Sequence, residues 1–438
     1  MKLTEEQKNV IKAFMKFLID PKEKFMIIQG PAGSGKTTMI KAMLEAMDKE
    51  FKLLKTLLCE NQDESFNIKL TATTNKAVAV LRELSGDPSV GTVHSTLKLT
   101  LKKNFNTGLE DLVQTRSWCE LYNTVLILDE ASMLDSVTFE YMKATLQGKS
   151  KAVLIGDIYQ LAPVKQKESI MQRLIGRVPT TVLNTVMRHD GNILEAATAF
   201  REVVSSGSFE DILLSKDVIH LDGPIFKDEI EQAFLSPKYT PNKAKILTWS
   251  NDRVQEYNNH IRKIKGLGEQ FQEGEVVVTN NPIISSGFII PVDSEVRIDK
   301  IYEPTSLHGV PGNYIKTDNC IPCFLPEDYN KAKMLMKQLA KEANAKELKD
   351  KPNKRKQLWT TYFDIKNTWL DLRSQYASTV HKAQGSTYDE VFIDLYDIGR
   401  CNISSDVARL LYVAISRAKN RVVLSGSLPD KYRSKIAA

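Results

Sequence analysis

Cysteine and long apolar runs are scarce in this sequence. Five cysteines among 438 residues are too few, and odd in number, for a complete disulfide framework, which favours a reducing compartment. No apolar run approaches the ~18 residues that cross a bilayer. The first residues lack the basic start and apolar core of a secretory signal. We therefore expect a cytoplasmic protein without a membrane partner.

A zinc site and a disordered chain are also disfavoured. Cys320 and Cys323 form the one close cysteine pair, with only His308 nearby, whereas a four-ligand zinc site needs a second pair. A turn that contains two thiols is the simpler interpretation. Hydrophobic residues make up 42% of the chain and charged residues 26%, which excludes a collagen-like or disordered protein. The length is about three times that of a ~150-residue domain, so we expect two or three packing units.

Positive charge is concentrated in one segment. The net charge is +6, yet residues 331–356 contain ten Lys/Arg and three Asp/Glu, so the rest of the chain is close to neutral. Four apolar residues recur there at helical spacing: Met334, Leu335, Leu339 and Ala343. This spacing predicts a helix over 328–350 whose apolar stripe packs on the protein while its lysines face outward. Such lysines either solvate a helix face or follow a phosphate backbone, and charge alone does not decide between the two.

Short apolar strands alternate with helical patterns along most of the chain. The strand candidates are residues 25–28, 125–128, 152–155, 245–248, 391–395 and 421–424. Continuous apolar strands separated by helices indicate parallel sheets covered on both faces, so the predicted fold class is α/β. Two stretches interrupt this rhythm: a polar excursion at 98–120, and a β-rich region at 265–375 that contains the lysine-rich helix. We predict that each is an insertion in one of two sheet units.

A phosphate-binding motif follows the first strand candidate. The pattern G-x-x-x-x-G-K-[ST] is matched in full by Gly30, Pro31, Ala32, Gly33, Ser34, Gly35, Lys36 and Thr37. An apolar strand precedes the motif and an amphipathic helix follows it, as the motif requires. The glycines let backbone N–H groups approach phosphates, and the helix N-terminus favours their charge. The motif predicts ATP binding, with Lys36 neutralising the β/γ oxygens and Thr37 holding Mg²⁺.

Further groups for this chemistry lie at the ends of later strand candidates. Asp129 and Glu130 directly follow an apolar strand, and parallel sheets bind ligands at the carboxyl ends of their strands. Asp129 is predicted to hold Mg²⁺, and Glu130 to orient and deprotonate the attacking water. Gln160, after the next strand, is predicted to sense the γ-phosphate.

Two arginines lie far from the phosphate-binding loop in sequence. Arg188 and Arg417 are each either surface ion-pair partners or groups that reach the γ-phosphate. If both reach it, ATP hydrolysis depends on closure between two domains, and arginines so placed contribute ~10³–10⁵ in rate. Kinases of small molecules also use this loop, but they do not need a second α/β unit.

The order of these segments resembles a helicase family. The segments that carry the resemblance are residues 4–7, 30–38, 71–77, 92–95, 129–132, 156–164, the region of Arg188, 378–386 and 412–418. Together they resemble the superfamily 1 DNA helicases of the RecD-like 5′→3′ branch, and the compact length is similar to that of its phage members. The resemblance covers nearly the whole chain, and its most specific parts are 156–164 and 381–386.

The resemblance implies two RecA-like domains, 1–180 and 181–438, that bind ATP between them and single-stranded DNA across their tops. The insertion at 98–120 is then a domain with a candidate strand-separating pin, and 265–375 is the larger insertion of the second domain. Gln7, Thr38 and Gly385 are expected to join residues 30–37 in binding ATP. The residues expected to contact DNA are Thr73, Asn75, His94, Phe105, Trp249, Thr379, His381 and Lys382. Trp249 is equally consistent with core packing.

The expected function is that of an ATP-dependent DNA helicase, a monomer that moves 5′→3′ on single-stranded DNA and acts in replication, recombination or repair. Its expected partners are single-stranded DNA, duplex junctions and replication or single-strand-binding proteins, in the cytoplasm of a bacterium or a phage-infected host. Residue chemistry alone leaves open an RNA helicase, a nucleotide-gated assembly factor and a nuclease-complex subunit. No carboxylate cluster suited to a nuclease stands out in the sequence.

Overall fold

The structure is a computed structural model. It describes residues 3–58, 67–163, 166, 168–186, 191–209, 212, 214–285, 288–318, 322–348 and 350–432. Cys320, half of the close cysteine pair, lies outside these residues, and Cys323 is buried in a strand. Within the same ranges, no three His, Cys, Asp or Glu side chains gather as a metal-binding group. None of the helices described is long and apolar enough to span a membrane.

Parallel and antiparallel strands alternate with helices along the chain. The strands are β1 (Phe25–Gln29), β2 (Asn67–Ala72), β3 (Gly91–Thr92), β4 (Leu99–Lys103), β5 (Glu110–Gln114), β6 (Thr124–Asp129), β7 (Lys151–Gly156), β8 (Thr180–Val182), β9 (Val218–Leu221), β10 (Ala244–Thr248), β11 (Val276–Thr279), β12 (Ile283–Ser285), β13 (Phe288–Ile290), β14 (Glu295–Leu307), β15 (Val310–Thr317), β16 (Cys323–Pro326), β17 (Leu372–Arg373), β18 (Ala377–Thr379), β19 (Tyr388–Asp394) and β20 (Ala418–Ser425). Each of the six predicted strands is present.

The α-helices separate these strands. They are α1 (Glu5–Ile19), α2 (Lys36–Lys49), α3 (Phe51–Leu58), α4 (Asn75–Ser85), α5 (Val93–Thr96), α6 (Ser136–Thr145), α7 (Ile170–Leu174), α8 (Asn192–Ser206), α9 (Gly223–Leu235), α10 (Asn251–Ile264), α11 (Tyr329–Ala343), α12 (Pro352–Thr368), α13 (Leu395–Gly399) and α14 (Ser404–Ile415).

The first α/β unit is built on a six-stranded parallel sheet in the order β3-β2-β6-β7-β1-β8. Strand β6 is buried along its whole length. Its alternate residues enter two different cores: Val125 and Ile127 pack with α1 and α2, whereas Leu126 and Leu128 pack with α6. A strand buried on both faces has to be apolar throughout, which is why its sequence has no polar alternation.

The second α/β unit is built on a five-stranded parallel sheet in the order β18-β10-β19-β20-β9. Its central strand β19 again serves two cores. Val391 and Ile393 pack with α8 and α14, and Phe392 packs with α9 and α10. The predicted α/β fold class, with two parallel sheets covered on both faces, is therefore confirmed.

The long insertion lies between α10 and β18. It contains an antiparallel sheet in the order β16-β15-β14-β11-β17, the hairpin β12-β13, and a pair of helices, α11 and α12, that we call the arm. Because β11 pairs with β17, the chain enters and leaves the insertion on neighbouring strands. The insertion has its own apolar core, which includes Val277, Val296 and Ile298.

The arm differs from the single helix predicted over 328–350. Helix α11 ends at Ala343, a short 3-10 turn follows, and α12 then returns against α11. Leu335, Leu339 and Ala343 pack as predicted, but Met334 is 70% exposed, so that part of the prediction is wrong. Adjacent residues of a helix point about 100° apart. The seam between two helices is too narrow to cover both Met334 and Leu335.

The polar excursion at 98–120 forms the hairpin β4-β5, which extends from the first unit and contacts the arm. Phe105, at its tip, is 36% exposed and meets the ring of Phe363 edge-on, with the ring centroids 5.5 Å apart. Gly108 lies so close to Trp359 that a Cβ at this position would lie 2.1 Å from the indole ring. Its φ of 72° also favours glycine. The hairpin and the arm therefore form a bridge between the two units.

Candidate active site

The loop between β1 and α2 has the geometry of a phosphate cradle. Gly33 and Gly35 have φ values of 82° and 81°, the left-handed region that glycine enters without strain. Lys36 is buried, and its Nζ donates to the carbonyl oxygens of Gly30 and Pro31, both at 2.8 Å. The loop therefore holds the Lys36 ammonium group over its own backbone, where a β/γ-phosphate would compete for it.

Several buried polar atoms at this edge of the first sheet have no hydrogen-bond partner among the described residues. They are Ser34 Oγ in the loop, and Glu130 Oε2 and Ser132 Oγ after β6. A buried polar atom without a partner costs about 1–3 kcal/mol. Three of them at the carboxyl ends of β1 and β6, the two strands that flank β7, fit a site that receives a polar ligand. Thr37 and Thr38 are half-buried in the first turn of α2, beside this group.

The two predicted carboxylates lie at the carboxyl end of β6. Burial raises the pKa of Asp129, the charge of Glu130 raises it further, and the Lys36 ammonium opposes both. Glu130 has a φ of 51°, and its carbonyl oxygen accepts from Thr73 Oγ1 at 2.9 Å. A divalent cation would stabilise the ionised form of Asp129, so Asp129 and Thr37 fit a magnesium ion held together with a nucleotide.

Helix α14 of the second unit lies against this edge of the first unit. Arg409 is buried, and its Nη1 donates to the carbonyl oxygens of Ile158 and Gln160, both at 2.6 Å. Both acceptors belong to the loop after β7. The second unit is therefore bonded to the backbone of the segment that contains the predicted γ-phosphate sensor.

Tyr412 makes a second contact across the same boundary. Its hydroxyl donates to Asp157 Oδ2 at 2.5 Å and accepts from the backbone N–H of Ala32 at 3.1 Å. Burial and the neighbouring Asp157 raise the pKa of Tyr412 well above its ordinary value. The sequence prediction missed Tyr412, Asp157 and Arg409. The first two lie within motif segments, but nothing in the sequence shows that they meet.

Arg417 follows the same helix and is 2% exposed. Its guanidinium donates to the carbonyl oxygen of Ser386 at 3.2 Å and to Ser416 Oγ at 2.9 Å. Burial lowers the pKa of Arg417, and the charge of Glu130 opposes this shift. The structure therefore brings this arginine of the second unit into the field of the Glu130 carboxylate. Arg188, the other predicted arginine, lies outside the described residues.

The other residues predicted to contact ATP have local partners in this structure. Gln160 is buried, and its Oε1 accepts from Gln384 Nε2 of the second unit at 3.4 Å. Gly385 follows with a φ of 77°. Gln7 is buried, and its Oε1 accepts from the N–H of Thr4 in a capping box that begins α1. The Gln7 oxygen is thus used by the helix cap.

Three of the predicted DNA contacts lie on the first unit, after its strands. Thr73 donates to the carbonyl of Glu130, as described above, and Asn75 is exposed at the first position of α4. His94 is half-buried, with its Nε2 3.4 Å from Thr138 Oγ1. Burial lowers the pKa of His94. Thr73 therefore connects the predicted DNA face to the backbone of Glu130.

Three further predicted contacts lie at and just after the end of β18 in the second unit. Thr379 is buried and accepts from the N–H of Lys382 at 3.4 Å. His381 is half-buried, and burial lowers its pKa. The Nζ of Lys382 is bonded to Asn280 Oδ1 at 2.8 Å and to Asp293 Oδ1 at 3.0 Å, both in the insertion. Lys382 therefore joins the second unit to the insertion, which sequence reasoning did not foresee.

Trp249 lies at the end of β10 on the same edge of the second sheet. Its side chain is partly buried against the core of the second unit. Its backbone N–H donates to Asp397 Oδ2 at 2.8 Å. Part of the indole therefore packs on the core, as one of the two predicted possibilities has it, and part remains accessible. Phe105 lies apart from this edge, at the contact between the β4-β5 hairpin and the arm.

Comparisons with known proteins agree with this architecture. The family described as "AAA domain" matches residues 2–220, and that described as "UvrD-like helicase C-terminal domain" matches residues 374–425. The ATP-dependent DNA helicase Dda of Enterobacteria phage T4 is 28% identical, over 95% of this chain and 98% of its own. The RecD subunit of the RecBCD enzyme from Buchnera aphidicola subsp. Acyrthosiphon pisum is 31% identical, over 34% of this chain and 24% of its own.

A solved structure shares the fold. The crystal structure of Pif1 helicase from Bacteroides in complex with ADP-AlF3 and single-stranded DNA is 14% identical and has a TM-score of 0.51. The match covers 99% of this chain and 94% of that chain. This likeness shows the fold, while the two family matches and the sequence relatives confirm the family resemblance that the order of the motifs indicates.

Proposed function

We propose that this chain, which belongs to the family described as "AAA domain", is an ATP-dependent DNA helicase. It translocates 5′→3′ on single-stranded DNA and unwinds duplexes. The observation that carries the proposal is the boundary between the units. The phosphate-binding loop and Glu130 come from the first unit, while Arg417 comes from the second and lies in the field of Glu130. Hydrolysis at such a boundary depends on how the units are placed, and this dependence is what a motor requires.

The residues of the cleft divide the chemistry among them. Lys36 exchanges its bonds to the loop carbonyls for the β/γ oxygens of ATP. Mg²⁺, held by Thr37 and Asp129, would neutralise phosphate charge. Glu130 orients a water molecule and accepts its proton, and Arg417 stabilises the charge that develops on the γ-phosphate. Gln160, bonded to Gln384 across the boundary, is suitably placed to report the state of the phosphate to the second unit.

Single-stranded DNA is proposed to run over the carboxyl edges of both sheets. Thr73, Asn75 and His94 supply polar groups on the first unit, and Thr379, His381 and Lys382 do so on the second. Partly accessible Trp249 adds a surface on which a base can stack, as in other single-strand channels. Since the Thr73 hydroxyl is bonded to the backbone carbonyl of Glu130, a strand that contacts Thr73 is linked through one hydrogen bond to the backbone that carries the proposed catalytic carboxylate.

The β4-β5 hairpin is proposed as the element that divides the two strands of a duplex. An aromatic residue at its tip, Phe105, is braced by Phe363 of the arm. The hairpin is further tied to the arm by an ion pair between Glu110 and Lys366. A hairpin that separates two DNA strands must resist the force they exert on it, so support from the arm suits this role. The proposed setting is DNA replication, recombination or repair.

Two measurements test the proposed function. ATP hydrolysis should rise on addition of single-stranded DNA, and duplex DNA with a 5′ tail should be unwound in preference to the same duplex with a 3′ tail. RNA versions of both substrates should be poorer. Hydrolysis that ignores single strands would indicate a nucleotide-gated assembly factor, and unwinding from 3′ tails would contradict the direction.

The arm is proposed to bind the phosphate backbone. Lys337, Lys341 and Lys346 are exposed on it, and replacing all three with glutamine should weaken DNA binding. For each phosphate that the variant no longer neutralises, the slope of log affinity against log salt should fall by ~0.7 for a single strand. ATP hydrolysis without DNA should persist, because none of the three lies in the cleft. A salt titration of DNA binding measures the slope.

The matched control removes the same charge elsewhere. Lys12, Lys16 and Lys22 are exposed on and just after α1, and their replacement with glutamine should leave the slope nearly unchanged. If both triple variants show the original slope, the arm lysines only solvate their helices. If both slopes fall equally, general charge rather than the arm attracts the DNA.

A further inference from the structure

Helix α14 contacts the first unit at two places that belong to different functional segments. Arg409 holds the backbone of the loop after β7 through two carbonyl oxygens. Tyr412, one helical turn later, reaches Asp157 at the start of that loop and Ala32 in the phosphate-binding loop. Residues three apart on a helix share one face. A single face of α14 is therefore bonded to both loops, and Arg417 follows directly after the helix.

The Tyr412 hydroxyl sits between a donor and an acceptor of the first unit. It accepts from the N–H of Ala32 at 3.1 Å while it donates to Asp157 Oδ2 at 2.5 Å. Asp157 is fully buried, and its other oxygen accepts from the N–H of Tyr159 at 3.0 Å. A hydroxyl group can accept and donate at once, which a phenylalanine ring cannot. Removing it leaves the Ala32 N–H without this acceptor and a buried carboxylate with one donor fewer.

We propose that Tyr412 is a positioning residue that couples the phosphate-binding loop to the second unit: its hydroxyl ties the Ala32 N–H and the Asp157 carboxylate to α14 and thereby sets where Arg417 stands relative to Glu130. The inference rests on the proposed ATP hydrolysis. Movement of the loop as it receives a phosphate passes through the Ala32–Tyr412 bond to α14. The same helix moves Arg417, and the Arg409 bonds carry the movement to the segment of Gln160.

The first test replaces Tyr412 with phenylalanine. The ring and its packing stay, and the two hydrogen bonds are removed. DNA-stimulated kcat should fall roughly tenfold or more, which corresponds to losing one buried hydrogen bond to a charged group. The KM for ATP should change by less than about threefold, because the phosphate cradle itself belongs to the first unit. Hydrolysis without DNA should fall less than hydrolysis with DNA.

A matched control is available in the same unit. Tyr432 is as buried as Tyr412, each being 3% exposed, and its hydroxyl donates to the Cys401 carbonyl at 3.0 Å, away from the cleft. Tyr432→Phe should remove one buried bond without changing the ratio of stimulated to basal kcat. If both variants lose the same fraction of both rates, Tyr412 is only structural and the inference is overturned.

A double-variant cycle tests whether Tyr412 acts through Arg417. Arg417→Ala should itself keep ATP binding and lose most DNA-stimulated hydrolysis. In the Arg417→Ala background, Tyr412→Phe should have little further effect on kcat. If the two residues acted independently, the fold-decrease in kcat of the double variant would equal the product of the two single decreases. Multiplied losses would overturn the proposed route.

The inference can still be tested if circular dichroism shows that Tyr412→Phe does not fold. Asp157→Asn then weakens the same bond from the first unit and should give the same split between kcat and KM. An unchanged ratio of stimulated to basal kcat in Asp157→Asn would overturn the inference. Failure of the proposed function is distinguishable, because the unaltered protein would then hydrolyse no ATP or ignore DNA.

Discussion

ATP hydrolysis is expected to fall by at least ~10² when Lys36 is replaced with alanine. The Lys36 ammonium group is buried in the loop and is held by two backbone carbonyls at 2.8 Å, so it is already positioned where the β/γ oxygens would lie. Within the described part of the loop, no other side chain carries a positive charge. Steady-state turnover with saturating ATP and single-stranded DNA measures the effect.

Lys41, on the same helix, provides the control for this experiment. Its side chain is exposed, so Lys41→Ala removes an equal charge from α2 without touching the loop. Turnover in Lys41→Ala should match that of the unaltered protein. Near-normal turnover in Lys36→Ala would mean that the loop between β1 and α2 is not the hydrolytic site.

Glu130→Gln should separate binding from chemistry. Glutamine keeps the shape of the side chain but cannot take a proton from water, so kcat should fall by ~10²–10⁴, the usual contribution of a general base. ATP binding should persist, because Lys36, Thr37 and Asp129 are unchanged. Fluorescent nucleotide binding and single-turnover hydrolysis measure the two quantities separately.

The result depends on where the Glu130 carboxylate acts. Glu130 Oε2 is buried without a partner among the described residues, which is consistent with the proposed role of this oxygen toward water. Glu45 is exposed on α2, so Glu45→Gln should leave both ATP binding and kcat unaltered. If nucleotide affinity collapses in Glu130→Gln while hydrolysis per bound nucleotide is normal, Glu130 holds the metal or the fold instead.

The parallel sheets were predictable because burial on both faces leaves a direct trace in the sequence. Strands such as β6 and β19 contain continuous apolar runs, and no other element of comparable length requires them. The phosphate-binding loop was predictable for a related reason. Its conformation requires glycine at fixed positions, and Gly33 and Gly35 do have positive φ values. Local constraints of this kind are visible in neighbouring residues.

Contacts between distant segments were not predictable. Nothing near Lys382 in sequence shows that Asp293 and Asn280 will hold its ammonium group. In the same way, Tyr412 resembles an ordinary apolar-face residue of α14 until the fold brings it to Ala32. These pairings depend on how two units and an insertion meet, which leaves no periodicity in one sequence. The second helix of the arm was missed although Leu358, Tyr362 and Ile365 recur in it at helical spacing.

The strand order of the second sheet has a consequence for the order in which the protein is made. All six strands of the first sheet precede residue 183, so that unit can fold while the rest is still being synthesised. In the second sheet, β9 and β10 emerge early but are not neighbours. Strand β9 pairs with β20, and β10 pairs with β18 and β19. Both strands therefore stay unpaired until the whole insertion has been synthesised.

The insertion itself can close sooner, once β17 reaches β11. The expected order of folding on the ribosome is thus first unit, insertion, second unit, with β9 unpaired for the longest time because its partner β20 is made last. Such delayed pairing exposes a nascent chain to aggregation and gives chaperones a defined interval in which to act. It also means that α14 reaches the phosphate-binding loop last, so a chain still in synthesis has the loop without its contact to Tyr412.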